Sequence, residues 1–219
     1  MVITPEKAQL IAHLMADGFV SKGKPYEIMY ANVNKGLVEE VRALFEKVYG
    51  ISPDIKCKGK RKPLWYIKIR KKWVWRDLMR YSSSYYSREW RVPEEVLRSK
   101  DPNVKLAFLR AFIKDDGSKD RDIIYIYSVN LEGLKQLEQL AKDLGLVTKL
   151  VASDKLHTLK IYRKLSTAQE MLIREKLLKS ICYGLLKRTI TLEEAKRHLR
   201  KLDTYIAIHK VADRFDELL

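Results

Sequence analysis

No stretch of these 219 residues approaches the roughly 18 consecutive apolar residues that a membrane-spanning helix needs. Cysteine is scarce. Cys57 and Cys182 form no ligand cluster, so reduced thiols in an intracellular, cytoplasmic setting are expected. The first residues, Met-Val-Ile-Thr-Pro-Glu-Lys, lack the basic-then-apolar design of a secretory leader. Acidic residues are the third shortage: 28 Asp plus Glu stand against 44 Lys plus Arg, a formal net charge of +16. A heat-hardened surface is the competing explanation, but it raises both signs together, and this excess is one-sided. The imbalance points to a polyanionic partner, nucleic acid above all. A hydrophobic content of 46% with 10% aromatics is enough for a folded core rather than a disordered tail.

What is present is a repeat. Leu10-Ile-Ala-His-Leu-Met-Ala-Asp-Gly18 returns as Leu109-Arg-Ala-Phe-Ile-Lys-Asp-Asp-Gly117, with Asp17 and Asp116 99 residues apart. A period of nearly half the chain implies two copies of one structural unit. Both copies open a helix in a favoured way, Thr4-Pro5-Glu6 in the first and Asp101-Pro102 in the second. Gly18 and Gly117 are expected to stop these helices. Alanines recur at Ala8, Ala12 and Ala16, and again at Ala107 and Ala111. Small residues on one stripe suit a close helix–helix seam, with Ala12 and Ala111 as its residues. That alanine is simply a good helix former explains the first copy equally well.

The elements after each nonamer also recur. In the first half, Phe19-Val-Ser and residues 26–33 read as strands, Gly36 to Gly50 as an amphipathic helix, and residues 51–58 with 63–71 as a hairpin. Within Trp65-Tyr-Ile-Lys-Ile-Arg70, Tyr66, Lys68 and Arg70 alternate with apolar neighbours, so one strand face is basic. Nine basic residues and no acidic one lie between Lys56 and Lys72, among them Lys58, Lys60, Arg61 and Lys62. Such a ribbon matches a DNA major groove in width; a solvated hairpin is the plainer alternative. Trp73, Trp75, Tyr81, Tyr85 and Tyr86 follow, with core spacing at Trp75 and Leu78 favouring packing over base stacking. The serine-rich segment 80–93 reads as a joint.

In the second half, residues 118–121 read as a turn, 122–128 as a strand, 131–144 as a helix stopped by Gly145, and 146–153 with 156–163 as a hairpin carrying Lys149, Lys160 and Tyr162. Lys160 takes the place that Lys68 has in the first hairpin. A helix from Ser166 to about Ile181 closes the unit. Each half thus reads α-β-β-α-β-β-α, an α+β fold of two pseudo-symmetric units over 1–91 and 92–182. Residues 183–219 are expected to add two helices, Leu192–Leu202 and Tyr205–Leu219, the first opened by the Thr191/Glu194 capping box.

Two nonamers of this form, each opening such a unit in a basic chain, resemble the LAGLIDADG homing endonucleases over roughly residues 4–180. The length and repeat are similar to those of compact monomeric members encoded in archaeal introns. The resemblance implies two motif helices packed at a pseudo-two-fold and a β saddle over a long, pseudo-palindromic double-stranded DNA site. It implies Mg²⁺, or Mn²⁺, held at Asp17 and Asp116 beside Gly18 and Gly117. Polar residues beside the metals would be Asn32 and Ser128, while Val33 and Val129 stand where some relatives carry lysine. Lys68 and Lys160 are candidates for the water-activating lysine, or else for phosphate contact. Lys56, Lys58, Lys60, Arg61, Lys62, Tyr66, Arg70, Lys149 and Tyr162 would contact DNA. Met15, Lys114 and Asp115 are expected to take no part in the metal site. The alternative function is a weakly active or inactive DNA- or RNA-binding protein, such as a maturase-like splicing helper or a regulator.

Overall fold

The computed structural model describes residues 3–59, 61–162 and 167–210. Its elements repeat in the expected order. Helix α1 (Pro5–Ala16) leads into β1 (Gly18–Val20), β2 (Ile28–Asn32), α2 (Lys35–Tyr49), β3 (Lys56–Lys58), β4 (Leu64–Ile69) and α3 (Lys72–Tyr81). A short turn of helix, α4 (Glu94–Leu97), precedes the second series. That series runs α5 (Pro102–Asp116), β5 (Gly117–Asp120), β6 (Ile123–Ser128), α6 (Leu131–Asp143), β7 (Val147–Val151), β8 (His157–Tyr162) and α7 (Thr167–Leu186); α8 (Leu192–Lys210) follows. No helix among the described residues is long and apolar enough to cross a membrane.

The strands form two antiparallel sheets of identical topology, β1-β2-β4-β3 and β5-β6-β8-β7. Their inner faces carry the alternating apolar residues: Ile28, Tyr30, Ile67 and Ile69 in one sheet, Ile124, Ile126, Leu159 and Ile161 in the other, all buried. Between them α1 and α5 pack directly on each other, the most extensive contact between any two elements described. Both helices are therefore apolar on almost every side, Leu10, Ile11, Ala12 and Leu14 in α1 and Phe108, Leu109, Ala111 and Phe112 in α5 being fully enclosed. Local chemistry starts each helix. Thr4 accepts a hydrogen bond from the Lys7 amide (3.2 Å) and Asp101 from the Asn103 amide (2.9 Å), each followed by proline. Asn34 and Asn130 cap α2 and α6 in the same manner.

Three expectations change. Residues 118–120 do not form a turn but strand β5, paired with Ile123–Tyr125; the turn is at Arg121 and Asp122, with Arg121 at φ +52°. The C-terminal region holds one helix through position 204 where two were expected, and α7 continues past the unit boundary set at 182/183. Ser166 and residues 211–219 lie outside the described residues. Finally, the joint is a packed strap. Tyr85 and Trp90 are fully buried; the Trp90 ring packs tilted against Phe112 with centroids 4.7 Å apart and lies so close to Gly133 that a Cβ there would sit 2.4 Å from it. Asn130 donates to the Trp90 carbonyl (2.7 Å), and Gln136 accepts from the Val92 amide (2.8 Å), so the strap is fastened to α6.

Candidate metal and nucleic-acid site

Each motif helix delivers an aspartate at its last turn, where the chain leaves helix for strand. Asp17 donates its backbone N–H to the His13 carbonyl (3.1 Å) and Gly18 opens β1; Asp116 ends α5 and Gly117 opens β5. The glycines are needed for space and not for a left-handed backbone, since Gly117 has φ −89°. A Cβ on Gly18 would lie 2.5 Å from the Leu14 Cα, and one on Gly117 2.4 Å from the Ile113 carbonyl oxygen. Strand and helix are thereby pressed together, which holds each carboxylate at the end of its helix.

The two acids have different surroundings. Asn32, last in β2, donates its side-chain amide to Asp17 (2.7 Å), and its own carbonyl oxygen accepts from the Asn34 N–H (2.8 Å). Ser128, last in β6, occupies the matching place but is buried, its hydroxyl accepting from the Asn130 N–H (3.1 Å). Among the described residues no side-chain hydrogen bond reaches Asp116. Burial pushes the Asp17 carboxyl up to about 6, with the Asp115 charge adding to the rise while Asn32 and His13 oppose it. Burial also pushes Asp116 up to about 7, followed by repulsion from Asp17 and Asp115. Negative charge crowded this way favours a bound cation or a proton.

The donor set around the two aspartates is small. Among the described residues no group of three or more His, Cys, Asp or Glu side chains is arranged to hold a metal. A closed cage for zinc or calcium is therefore absent from them. A pair of carboxylates does suit Mg²⁺ or Mn²⁺, which take one or two protein carboxylates and complete their shell with waters and substrate phosphates.

The other site candidates are distributed over the sheets. Lys56, Lys58, Tyr66 and Lys68 share the outer face of the first sheet, with Lys56 opposite Tyr66 and Lys68 opposite Met29. Lys68 on β4 pairs with Met29, which is three positions, about 10 Å, along β2 from Asn32; its amine pairs with Glu27 (2.8 Å), as does Arg70 through two nitrogens (3.0 and 2.9 Å). Arg61 and Lys62 are exposed at the hairpin tip; Lys60 lies outside the described residues. In the second sheet Lys149, Lys160 and Tyr125 are cross-strand neighbours, and the Lys160 amine lies over the Tyr125 ring at 5.5 Å. Tyr125 stacks on Tyr127, and Tyr162 takes the same face of β8 as Lys160. Val33 and Val129 are exposed just beyond Asn32 and Ser128. Ala12 and Ala111 are fully buried in the two packed helices.

Sequence reasoning missed a polar cluster directly behind the acid pair. Asp115 has no exposed side-chain surface; His13 Nδ1 lies 2.8 Å from one of its oxygens and the Tyr30 hydroxyl donates to the other (2.7 Å). Glu40 stands 3.8 Å from His13 Nε2 and accepts from Lys114 (2.6 and 2.8 Å) and Gln9 (2.6 Å). The signal was a histidine and an acid placed inside two otherwise apolar helices. Met15 is buried.

A protein-family profile described as a LAGLIDADG-like domain matches residues 4–86 and 103–182, one match per half. No curated protein matches the chain by sequence. Among solved structures, the chain is similar to I-DmoI in complex with DNA and calcium (TM-score 0.54, 14% identity, 74% of this chain and 84% of that one). It is equally similar to the homing endonuclease I-WcaI bound to its DNA recognition sequence (TM-score 0.54, 14% identity, 74% and 77% covered). The N-terminal LAGLIDADG domain of DUF199/WhiA also aligns (TM-score 0.50, 14% identity, 80% and 84% covered). At such identities these likenesses speak to the fold.

Proposed function

The chain belongs to the LAGLIDADG-like family, and from that premise we propose that it is a site-specific double-strand DNA endonuclease whose metal ligands are Asp17 and Asp116. The observation that carries this reading is the pair itself: one carboxylate from each half, at the ends of two helices packed together, both with raised proton affinity. Divalent ions there would activate water and neutralise charge on the attacking and leaving oxygens of a phosphodiester. The protein's own part is to place the carboxylates. The Gly18 and Gly117 contacts set their backbone, and Asn32 orients Asp17 through its amide.

The outer faces of the two sheets, with Lys56, Lys58, Tyr66 and Arg70 on one and Lys149, Lys160 and Tyr162 on the other, are proposed to follow one half-site each. Arg61 and Lys62 extend the first face. Lys68 and Lys160, on these outer faces, then serve phosphates, Lys68 exchanging its Glu27 partner for one. The homing endonucleases named above were solved on DNA, one of them with calcium. The test is selection of cleaved sites from a random duplex library with Mg²⁺. Double-strand products are expected, lost in Asp17→Asn and Asp116→Asn while DNA binding persists.

The second reading, a non-cleaving DNA- or RNA-binding protein, is favoured by one observation. Lys68 and Lys160 pair three positions along the strand from Asn32 and Ser128 respectively and lie against other side chains, and Ser128 gives Asp116 no partner. Steeply salt-dependent binding by the wild type without any nicking selects that reading.

A further inference from the structure

We propose that Asp115 is a non-ligating anion, clamped in place by His13 and Tyr30 of the opposite half, that positions Asp17 and Asp116 and strengthens the field drawing divalent cations to them. This rests on the metal-site reading above. Both oxygens of Asp115 are already engaged, one by His13 Nδ1 at 2.8 Å and the other by the Tyr30 hydroxyl at 2.7 Å, so neither is free for a metal. Its partners come from α1 and β2, whereas Asp115 belongs to α5 and directly precedes Asp116. The bond to His13 therefore ties the last turn of one motif helix to the last turn of the other. The cluster continues across the seam, His13 facing Glu40 of α2 and Glu40 binding Lys114 of α5.

A buried ion pair of this kind returns little stability. His13, Tyr30 and the Asp115 carboxylate are all enclosed, and His13 Nε2 has no hydrogen-bond partner. Moving an ion pair out of water costs about as much as the attraction returns, and apolar residues of equal volume often do as well. The arrangement is also one-sided, because Ala16 holds the corresponding place before Asp17. Asp115 directly precedes Asp116, and His13, which holds Asp115, also accepts the Asp17 backbone N–H on its carbonyl oxygen (3.1 Å), so one buried charge is tied to both proposed metal carboxylates. A fixed negative charge beside the two carboxylates attracts Mn²⁺ through its field. His13 offsets part of the charge, and without it the carboxylate has only the tyrosine hydroxyl to fix it.

The experiment is Mn²⁺ binding to the whole chain, followed by electron paramagnetic resonance and calorimetry and compared with thermal melting. Asp115→Asn is expected to weaken Mn²⁺ about tenfold, the scale of one nearby unit charge in a partly hydrated site. Tyr30→Phe keeps the ring and removes one donor, and is expected to weaken Mn²⁺ about two- to threefold with a melting temperature near the wild type's. Should Asp115→Asn fail to fold, Tyr30→Phe carries the test. Unchanged Mn²⁺ affinity in whichever folded variant is measured overturns the clamp and leaves the metal site standing. A wild type with no Mn²⁺ site sensitive to Asp17→Asn overturns both.

Discussion

The two halves share a topology and differ where they meet. In the first, Asn32 donates to Asp17; in the second, Ser128 is turned to its own backbone and Asp116 stands without that support. In the first, the residue before the motif aspartate is Ala16; in the second it is Asp115, held by side chains of the first half. The outer sheet faces diverge too, with paired cations beside Glu27 in one and stacked tyrosines in the other. Symmetry of the backbone thus coexists with a division of labour at the centre. The first half orients its acid directly, and the second supplies the extra charge.

The comparison can be broken most completely at the acids. Asp17→Asn and Asp116→Asn should each lower the rate of Mg²⁺-dependent cleavage by about a thousandfold or more, read by single-turnover kinetics, with dissociation from DNA nearly unchanged. The glycines come next. Gly18→Ala and Gly117→Ala force a Cβ against backbone at 2.5 and 2.4 Å and should cost about 2–4 kcal/mol in denaturant unfolding. Equal losses in the two variants would mean that the helix-to-strand junctions remain equivalent although the side chains do not.

Smaller effects sharpen the asymmetry. Asn32→Ser makes the first half like the second and removes a hydrogen bond to a charged group. It should slow cleavage about tenfold, whereas Ser128→Ala, whose hydroxyl touches only backbone, should change the rate less than twofold. Similar losses from both would defeat the assigned difference. The smallest effect is in pH. The folded carboxyls of Asp17 and Asp116 titrate near 6 and 7, above the usual 3.8, so the folded state binds more protons than the unfolded one between those limits. Their contribution is therefore fully favourable below about pH 4 and is lost as pH rises through 6 to 7. The metal-free chain should melt at a higher temperature at pH 5.5 than the other groups alone dictate. Asp116→Asn should flatten that slope more than Asp17→Asn, because Asp17 is the more exposed and is screened by solvent.

Much of the architecture was legible because it is written in local chemistry. Caps at Thr4 and Asp101, helix-ending glycines at Gly50 and Gly145, and the alternation through Ile67 and Ile69 each act within a few residues of where they stand. What was illegible depends on distant partners. Ser118-Lys-Asp120 is polar and exposed and has no strand pattern of its own; it is a strand because β6 pairs with it. Trp90 lies in a serine-rich segment that reads as a loose joint, and only Phe112 and Gly133, far along the chain, make it core.

The repeat, the sign of the charge and the placement of an aspartate at the end of each motif helix were determined by the sequence itself, since periodicity and composition need no partner to be read. Tertiary structure decided which groups around those aspartates act together. A side chain such as Asp115 shows the same letters whether it faces solvent or a buried imidazole. Burial, and with it the strength of every charge nearby, follows from α1 lying against α5.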